Sequence, residues 1–313
     1  MKAFVFPGQG SQSPGMGKEL AEAFAPAREV FQEVDDALNQ KLSKLIFEGP
    51  DTDLNLTENT QPALMAVSMA VVRVLQQAKP ELITPALCKY VAGHSLGEYS
   101  ALTAAGTFSI GDAARLLKIR GQAMQKAVPV GVGAMAAILG LELPDVTAIA
   151  KEASNSEIVA AANDNSFGQV VVSGHKAAVE KAVALATAKG AKRAIILPVS
   201  APFHCALMQP AADAMQAALA EVKMNAPAVP LVANVIASEV TDPSQIRKLL
   251  VEQVTGMVRW RESVLYMKQQ GVTELIELGA GKVLNGLTKR IDGDLTGRAV
   301  NAPKDIEEFL ATL

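Results

Sequence analysis

The sequence predicts an α/β protein whose large domain is built on a parallel sheet and interrupted by a small α+β domain. Three observations carry this. Short apolar runs at 2–6, 88–92, 229–235 and 274–278 are separated by helix-length segments, and strands joined through helices of about ten or more residues pair in parallel. Between them the rhythm changes: "GAMAAILGL", "PDVTAIAKEAS", "IVAAANDNSFGQVVVSG", "KAAVEKAVALATAKG" and "KRAIILPV" read as β-α-ββ-α-β, the order of a ferredoxin-like unit. Finally, 313 residues, 50% hydrophobic and 19% charged, suffice for a large core and about two domains. The predicted division is 1–127 with 200–313 for the large domain and 128–199 for the insert.

In chain order, residues 2–6 form a strand that ends in the turn "PGQGSQSPGMG". "TQPALMAVSMAVVRVL" has Thr60 as a candidate cap and Pro62 near the first turn, and its apolar residues run almost all round, so this helix is expected to be buried. The 88–92 strand leads into "GHSLG" and a helix-prone run. "SIGDAARLLKIRGQAMQKAV" opens with a capping-box pattern from Ser109 to Asp112. In the insert, 163–168 is expected at the hairpin turn. A strand at 195–199 then precedes a helix over about 203–222, the 229–235 strand, helices through 245–270, the 274–278 strand, and a closing strand and helix.

Composition excludes several functions. A net charge of −3 lacks the basic excess of nucleic-acid binders. No apolar run approaches the roughly 18 residues of a membrane span, and the four apolar residues before Pro7 are too few for a signal-peptide core, so a cytoplasmic location is expected. Cys88 and Cys205 show no CxxC spacing, and with His94, His175 and His204 they form no zinc pattern. Gly8-x-Gly10 is followed by Ser13 where a dinucleotide loop needs glycine, and "LGAGKV" lacks the leading glycine of a P-loop. No metal and no permanently bound cofactor are expected.

"VAGHSLGEYSAL" places Ser95 in a G-x-S-x-G pattern between a predicted strand and a predicted helix, the context of a hydrolase-like nucleophile elbow. Glycines at 93 and 97 permit the tight reversal, while the Leu96 amide and the helix amino end favour a developing oxyanion. A serine hydroxyl needs a base. His94 is adjacent on the turn, where side chains diverge, and His175 closes a strand of the insert. His204 remains, after a predicted main-sheet strand and at the start of a helix whose dipole disfavours its protonation. With no orienting acid evident, a Ser-His dyad with Nδ1 held by a backbone carbonyl is the simplest arrangement.

On the 109–126 helix, at about 100° per residue, Ala113, Leu116, Leu117, Ala123 and Met124 form one stripe, and Arg120 falls in its middle. Arg115, Lys118 and Lys126 face the other way. A buried guanidinium needs either a protein carboxylate or a ligand anion.

Together these parts resemble the malonyl-CoA:acyl-carrier-protein transacylases of fatty-acid synthesis, with polyketide-synthase acyltransferase domains as cousins. The resemblance runs nearly end to end through "FPGQGSQ", "TQPAL", "GHSLGEY", Arg120, "NDNSFGQVVVSG", "APFH" and "ELGAGKVL". It implies that Ser95 is acylated by malonyl-CoA, that His204 is the base, and that Arg120 holds the malonyl carboxylate. It also implies that the Gln9 and Leu96 amides form the oxyanion hole. Gln61, Asn163 and Gln253 are family positions of the interdomain cleft, with carbonyls near Gln253 orienting His204, and Phe203 is the malonyl-selecting choice over α-methyl substrates. Coenzyme A thioester is then a substrate, acyl carrier protein the partner, and a monomer is expected. Ala280 and Cys205 depart from the commoner proline and hydroxyl residue. Lys189, Lys192, Arg193, Lys282, Lys289 and Arg290 offer a basic rim for an acidic carrier, or simply solvated helix faces. A serine hydrolase, a silent carrier-binding subunit and a polyketide-pathway acyltransferase are the competing readings.

Overall fold

A computed structural model of the chain describes residues 1–155, 157–199 and 201–313. Its strands are Lys2–Phe6 (β1), Tyr90–Gly93 (β2), Gly133–Leu139 (β3), Val159–Ser166 (β4), Gln169–His175 (β5), Arg193–Ile196 (β6), Leu231–Ala233 (β7), Ser238–Val240 (β8), Glu274–Leu278 (β9) and Thr296–Val300 (β10). They make a six-stranded sheet in the order β10-β9-β1-β2-β7-β8 and a four-stranded sheet in the order β4-β5-β3-β6. The first is parallel except for β8, a three-residue antiparallel edge that the sequence does not signal. The second is antiparallel throughout, with the ferredoxin-like order expected of the insert.

Alternation of side chains along each strand decides what every face covers. In β1, Phe4 and Phe6 join the larger core, while Ala3 and Val5 join Val232, Trp260 and Leu275 on the opposite face. In the second sheet, Ala136, Ile138, Val170 and Val172 pack on the helices Leu143–Ala153 and Lys176–Ala188. Their neighbours Met135 and Val171 turn to the large core instead. Val5 pairs with Ala92 and Phe6 with Gly93, so β1 and β2 end level and the turns after them meet.

The antiparallel sheet is also tied to the segment that precedes the helix Trp260–Gln269. Asn163 forms a parallel bridge with Val258, in which the Asp164 N–H donates to Val258 O at 2.9 Å and the Val258 N–H donates to Ala162 O at 2.9 Å. Beside it, Arg261 Nε donates to Asp164 at 2.9 Å, and its guanidinium lies 4.6 Å from the centre of the Phe167 ring.

Several expectations change. The buried helix starts at Thr57, not at Thr60, and Pro62 lies inside it; the Thr60 hydroxyl donates back to Leu54 O at 2.6 Å instead of capping the helix. Residues 163–166 belong to strand β4, leaving only Phe167 and Gly168 as the turn. The strand before His204 is β6 of the antiparallel sheet rather than a main-sheet strand. The helix after it begins with a short 3₁₀ turn at Ala206–Met208 and continues as Gln209–Ala220, beyond His204. The boundary expected at 199/200 abuts Ser200, outside the described residues. No helix among the described residues is long and apolar enough to cross a membrane.

The helices Thr57–Ala78 and Ile110–Lys126 pack closely because Gly121 has no side chain. A Cβ there would lie 2.5 Å from Glu58 Cα and 2.6 Å from Thr57 O, both backbone atoms that cannot rotate away. Gly121→Ala is therefore expected to destabilise the protein by about 1–3 kcal/mol, read as a lower urea midpoint. An unchanged midpoint would mean the two helices separate without cost.

Candidate active site

The site lies beyond the carboxyl ends of β1, β2 and β7, where open parallel sheets place ligands. Ser95, separated from the end of β2 by His94 alone, has φ of +53°, a left-handed backbone that a side-chain-bearing residue adopts at a cost of about 1–3 kcal/mol. The neighbours enforce it. A Cβ on residue 93 would fall 1.9 Å from the Gly97 carbonyl, and one on residue 97 would fall 2.3 Å from Phe6 O, so both must be glycine for the helix Gly97–Ala104 to seat against β1 and β2. Asn234, just past β7, ties the turn down: its Oδ1 accepts the Ser95 N–H at 2.8 Å and its Nδ2 donates to Gly93 O at 2.7 Å.

His204 also has a left-handed backbone, with φ of +56°. Its Nε2 lies 2.8 Å from Ser95 Oγ. Its Nδ1 lies 2.8 Å from Gln253 O and 3.1 Å from Gly256 O. Carbonyl oxygens only accept, so Nδ1 carries the hydrogen and the Nε2 lone pair faces the serine. Burial, and after it the Arg120 charge, pushes the imidazole down to about 3. The helix dipole expected from sequence is not the cause, because the helix starts at Gln209.

Arg120 is 1% exposed and reaches the same point from the Ile110–Lys126 helix. Nη1 donates to Gln61 Oε1 at 2.8 Å, and Nη2 donates to Gln253 Oε1 at 2.7 Å and Ser95 Oγ at 3.2 Å. Tyr99 lies below the guanidinium, 5.7 Å from it. Among the described residues no carboxylate touches it, and its Nε has no acceptor. Of the two readings open at sequence level, an internal ion pair is absent there, leaving a cation faced by neutral carbonyl oxygens beside a cavity.

That cavity measures about 180 Å³. Gln9, Gln61, Ser95, Leu96, Arg120, Asn163 and His204 line it, with Met124, Met135, Val171, Leu197 and Phe203 as its apolar wall. Gln253, expected in the cleft lining, instead lies fully buried behind the dyad and Arg120. Among the described residues, neither the Gln9 nor the Leu96 backbone N–H donates to a protein acceptor. His94 also faces the cavity and donates to Asn165 Oδ1 at 2.9 Å. His175 lies at the end of β5, away from this group, where Nδ1 accepts the Ile158 N–H at 2.9 Å.

Two residues were not singled out from sequence. Asn234 had one signal, its place just after a parallel strand. Glu98, 1% exposed, sits one helical turn after Ser95; its carboxylate accepts from the Asn234 N–H at 3.1 Å and from Gln253 Nε2. Burial pushes it up to about 7. The described residues contain no cluster of three or more His, Cys, Asp and Glu side chains placed to hold a metal. All six residues of the basic rim are exposed; Lys189 pairs with Glu152 at 2.6 Å and Arg290 donates to Gln169 at 3.0 Å.

The acyl transferase domain family matches residues 3–289. The malonyl CoA-acyl carrier protein transacylase of Escherichia coli (strain K12) is 50% identical, over 96% of this chain and 96% of its own. That of Bacillus subtilis (strain 168) is 48% identical over 99% and 96%. The crystal structure of acyl-carrier-protein-S-malonyltransferase from Bartonella henselae superimposes with a TM-score of 0.97 at 57% identity, covering 99% of this chain and 98% of that one. A malonyl-transacylase solved in complex with its type II PKS acyl-carrier protein has a TM-score of 0.96 at 44% identity, over 100% and 99%.

The lowered imidazole sets a pH dependence. The rate of any acyl transfer that draws on His204 as its base, followed by rapid quench, is expected to hold as pH falls through 6.5 and to fall only toward about 3; an acid limb centred at 6.5 would contradict this. The same shift acts on folding. Below 6.5 the unfolded chain takes up a proton that buried His204 refuses, so this contribution to stability is lost as pH falls from 6.5 toward about 3. Glu98 has the opposite sign: its contribution is lost as pH rises from 4.5 through about 7.

Proposed function

This chain belongs to the acyl transferase family, and from that premise we propose that it transfers a malonyl group from malonyl-CoA to the phosphopantetheine thiol of acyl carrier protein, supplying fatty-acid synthesis. The observation that carries the reading is the convergence of Ser95, His204 and Arg120 on one cavity. An acyl-transfer nucleophile next to an unpaired buried cation suits an acyl group that bears its own carboxylate.

His204 Nε2 takes the Ser95 proton as Oγ attacks the thioester carbonyl. The Nδ1–H remains on the Gln253 and Gly256 carbonyls and supports the imidazolium that forms. The free Gln9 and Leu96 amides receive the tetrahedral oxyanion. His204 then returns its proton to the departing coenzyme A sulfur, leaving a malonyl ester on Ser95. In the second half the carrier thiol gives its proton to His204 and attacks that ester, and Ser95 recovers its hydrogen as the thioester leaves.

Arg120 meets the malonyl carboxylate as a planar fork. Gln61 and Gln253 already fix the plane of the guanidinium, so little rotamer entropy remains to be lost on binding. Phe203 closes the apolar wall where an α-methyl group would project. No permanently bound cofactor is part of this scheme, coenzyme A entering and leaving as substrate, and the reaction is assigned to the cytoplasm. The chain divides into the large domain, 1–127 with 200–313, and the insert, 128–199, which supplies every strand of the antiparallel sheet.

Intact-mass measurement after mixing with malonyl-CoA tests the covalent step. The wild type is expected to gain one malonyl group and Ser95→Ala none; labelling of Ser95→Ala would move the nucleophile elsewhere. His204→Ala is expected to slow acylation by about 10²–10⁴. Arg120→Ala is expected to lower malonyl use far more than acetyl use, and an unchanged ratio would remove Arg120 from carboxylate binding.

A further inference from the structure

The Gln253 side chain stands between the Arg120 guanidinium and the Glu98 carboxyl group, which do not touch. Its Oε1 accepts from Arg120 Nη2 at 2.7 Å, and its Nε2 donates to Ser95 O at 2.9 Å and to the Glu98 carboxylate. A primary amide can be seated either way round, and the reversed seating would press its NH₂ against the guanidinium, donor to donor. Something must therefore choose the direction.

We infer that Glu98 is a positioning residue for the transfer reaction: by accepting from the Gln253 amide nitrogen it turns the amide oxygen to Arg120 and so aims the guanidinium at the substrate carboxylate. The inference rests on the reading of Arg120 as the holder of that carboxylate.

The chemistry of the position supports it. Glu98 is fully enclosed beneath the nucleophile, where packing alone would favour an apolar side chain. It meets two donors from two directions, the Asn234 N–H and Gln253 Nε2. Only a carboxylate presents two acceptors to such a pair; a glutamine would turn an NH₂ toward one of them. The polarity runs one way, from carboxylate to amide N–H and from amide carbonyl to guanidinium, so each bond reinforces the next. The same glutamine gives its backbone carbonyl to His204, yet the side-chain chain of bonds ends on Arg120. Glu98 should therefore affect recognition of a charged acyl group more than the proton transfers of the dyad.

Steady-state transfer of malonyl and of acetyl groups from coenzyme A to acyl carrier protein tests this in wild type, Glu98→Gln, Gln253→Ala, the double variant and Arg120→Ala. Glu98→Gln is expected to lower the malonyl-to-acetyl ratio of kcat/KM by about tenfold, the size of one charge-assisted hydrogen bond, mainly through KM for malonyl-CoA. Gln253→Ala should lower it as much, and the double variant no further. Equal losses for both substrates in Glu98→Gln, or multiplying losses in the double variant, would overturn the inference. Should Glu98→Gln fail to fold, Gln253→Ala, which keeps the backbone carbonyl, decides alone: a wild-type ratio there overturns it. A wild-type ratio in Arg120→Ala would overturn the carboxylate reading and this inference together, whereas a fall there with none in Glu98→Gln overturns this inference only.

Discussion

The centre of the structure is a positive charge held away from water with no acid in contact among the described residues. Burying a guanidinium costs several kcal/mol unless its hydrogens are met, and here amide oxygens from two helices meet Nη1 and Nη2 while Tyr99 lies below. Neutral partners leave the charge uncancelled, which a contacting carboxylate would not. Much else follows. The Thr57–Ala78 and Ile110–Lys126 helices must approach closely enough for Gln61 to reach Arg120, hence the glycine at 121. His204, a short distance away, is held neutral first by burial and then by the same charge, so one buried cation both faces the cavity and keeps the imidazole able to accept a proton.

The serine and the histidine share a second constraint, a left-handed backbone at both positions. Each is imposed from outside its own segment. Ser95 is wedged between glycines whose neighbours admit no Cβ and is tied by Asn234 across the sheet. His204 is held through its ring by carbonyls from residues 253 and 256. The short Ser95–His204 contact is thus fixed by groups from four separate stretches of the chain.

How far this was legible in the sequence depends on the range of each cause. The elbow was legible because its cause is local: two glycines around a serine have few other uses between a strand and a helix. Arg120 was legible through helical phase, since one cation among apolar neighbours has only one way to face. His204 could be reached by elimination among three histidines, but its surroundings could not. A helix was expected from about 203 because local propensity continues that far, whereas ring contacts made some fifty positions downstream hold residue 204 out of helical geometry. Thr60 and Pro62 resembled a helix start, and the hydroxyl binds instead to Leu54 O, ahead of the helix. The strand through 163–166 looked like a turn because Asn and Asp favour turns; bulges and the pairing with Val258 make it a strand. Glu98 and Asn234 gave almost no signal, as their meaning lies wholly in partners distant in sequence.

The alternation along β3 and β5 has one more consequence. Met135 and Val171 look into the cavity, while Ala136, Ile138, Val170 and Val172 look the other way, onto the two helices of the insert. One thin layer of backbone thus partitions the residues that contour the cavity from those that pack the sheet on its helices. A change of volume at Met135 or Val171 can therefore reshape the cavity without disturbing the packing of Ala136, Ile138, Val170 and Val172.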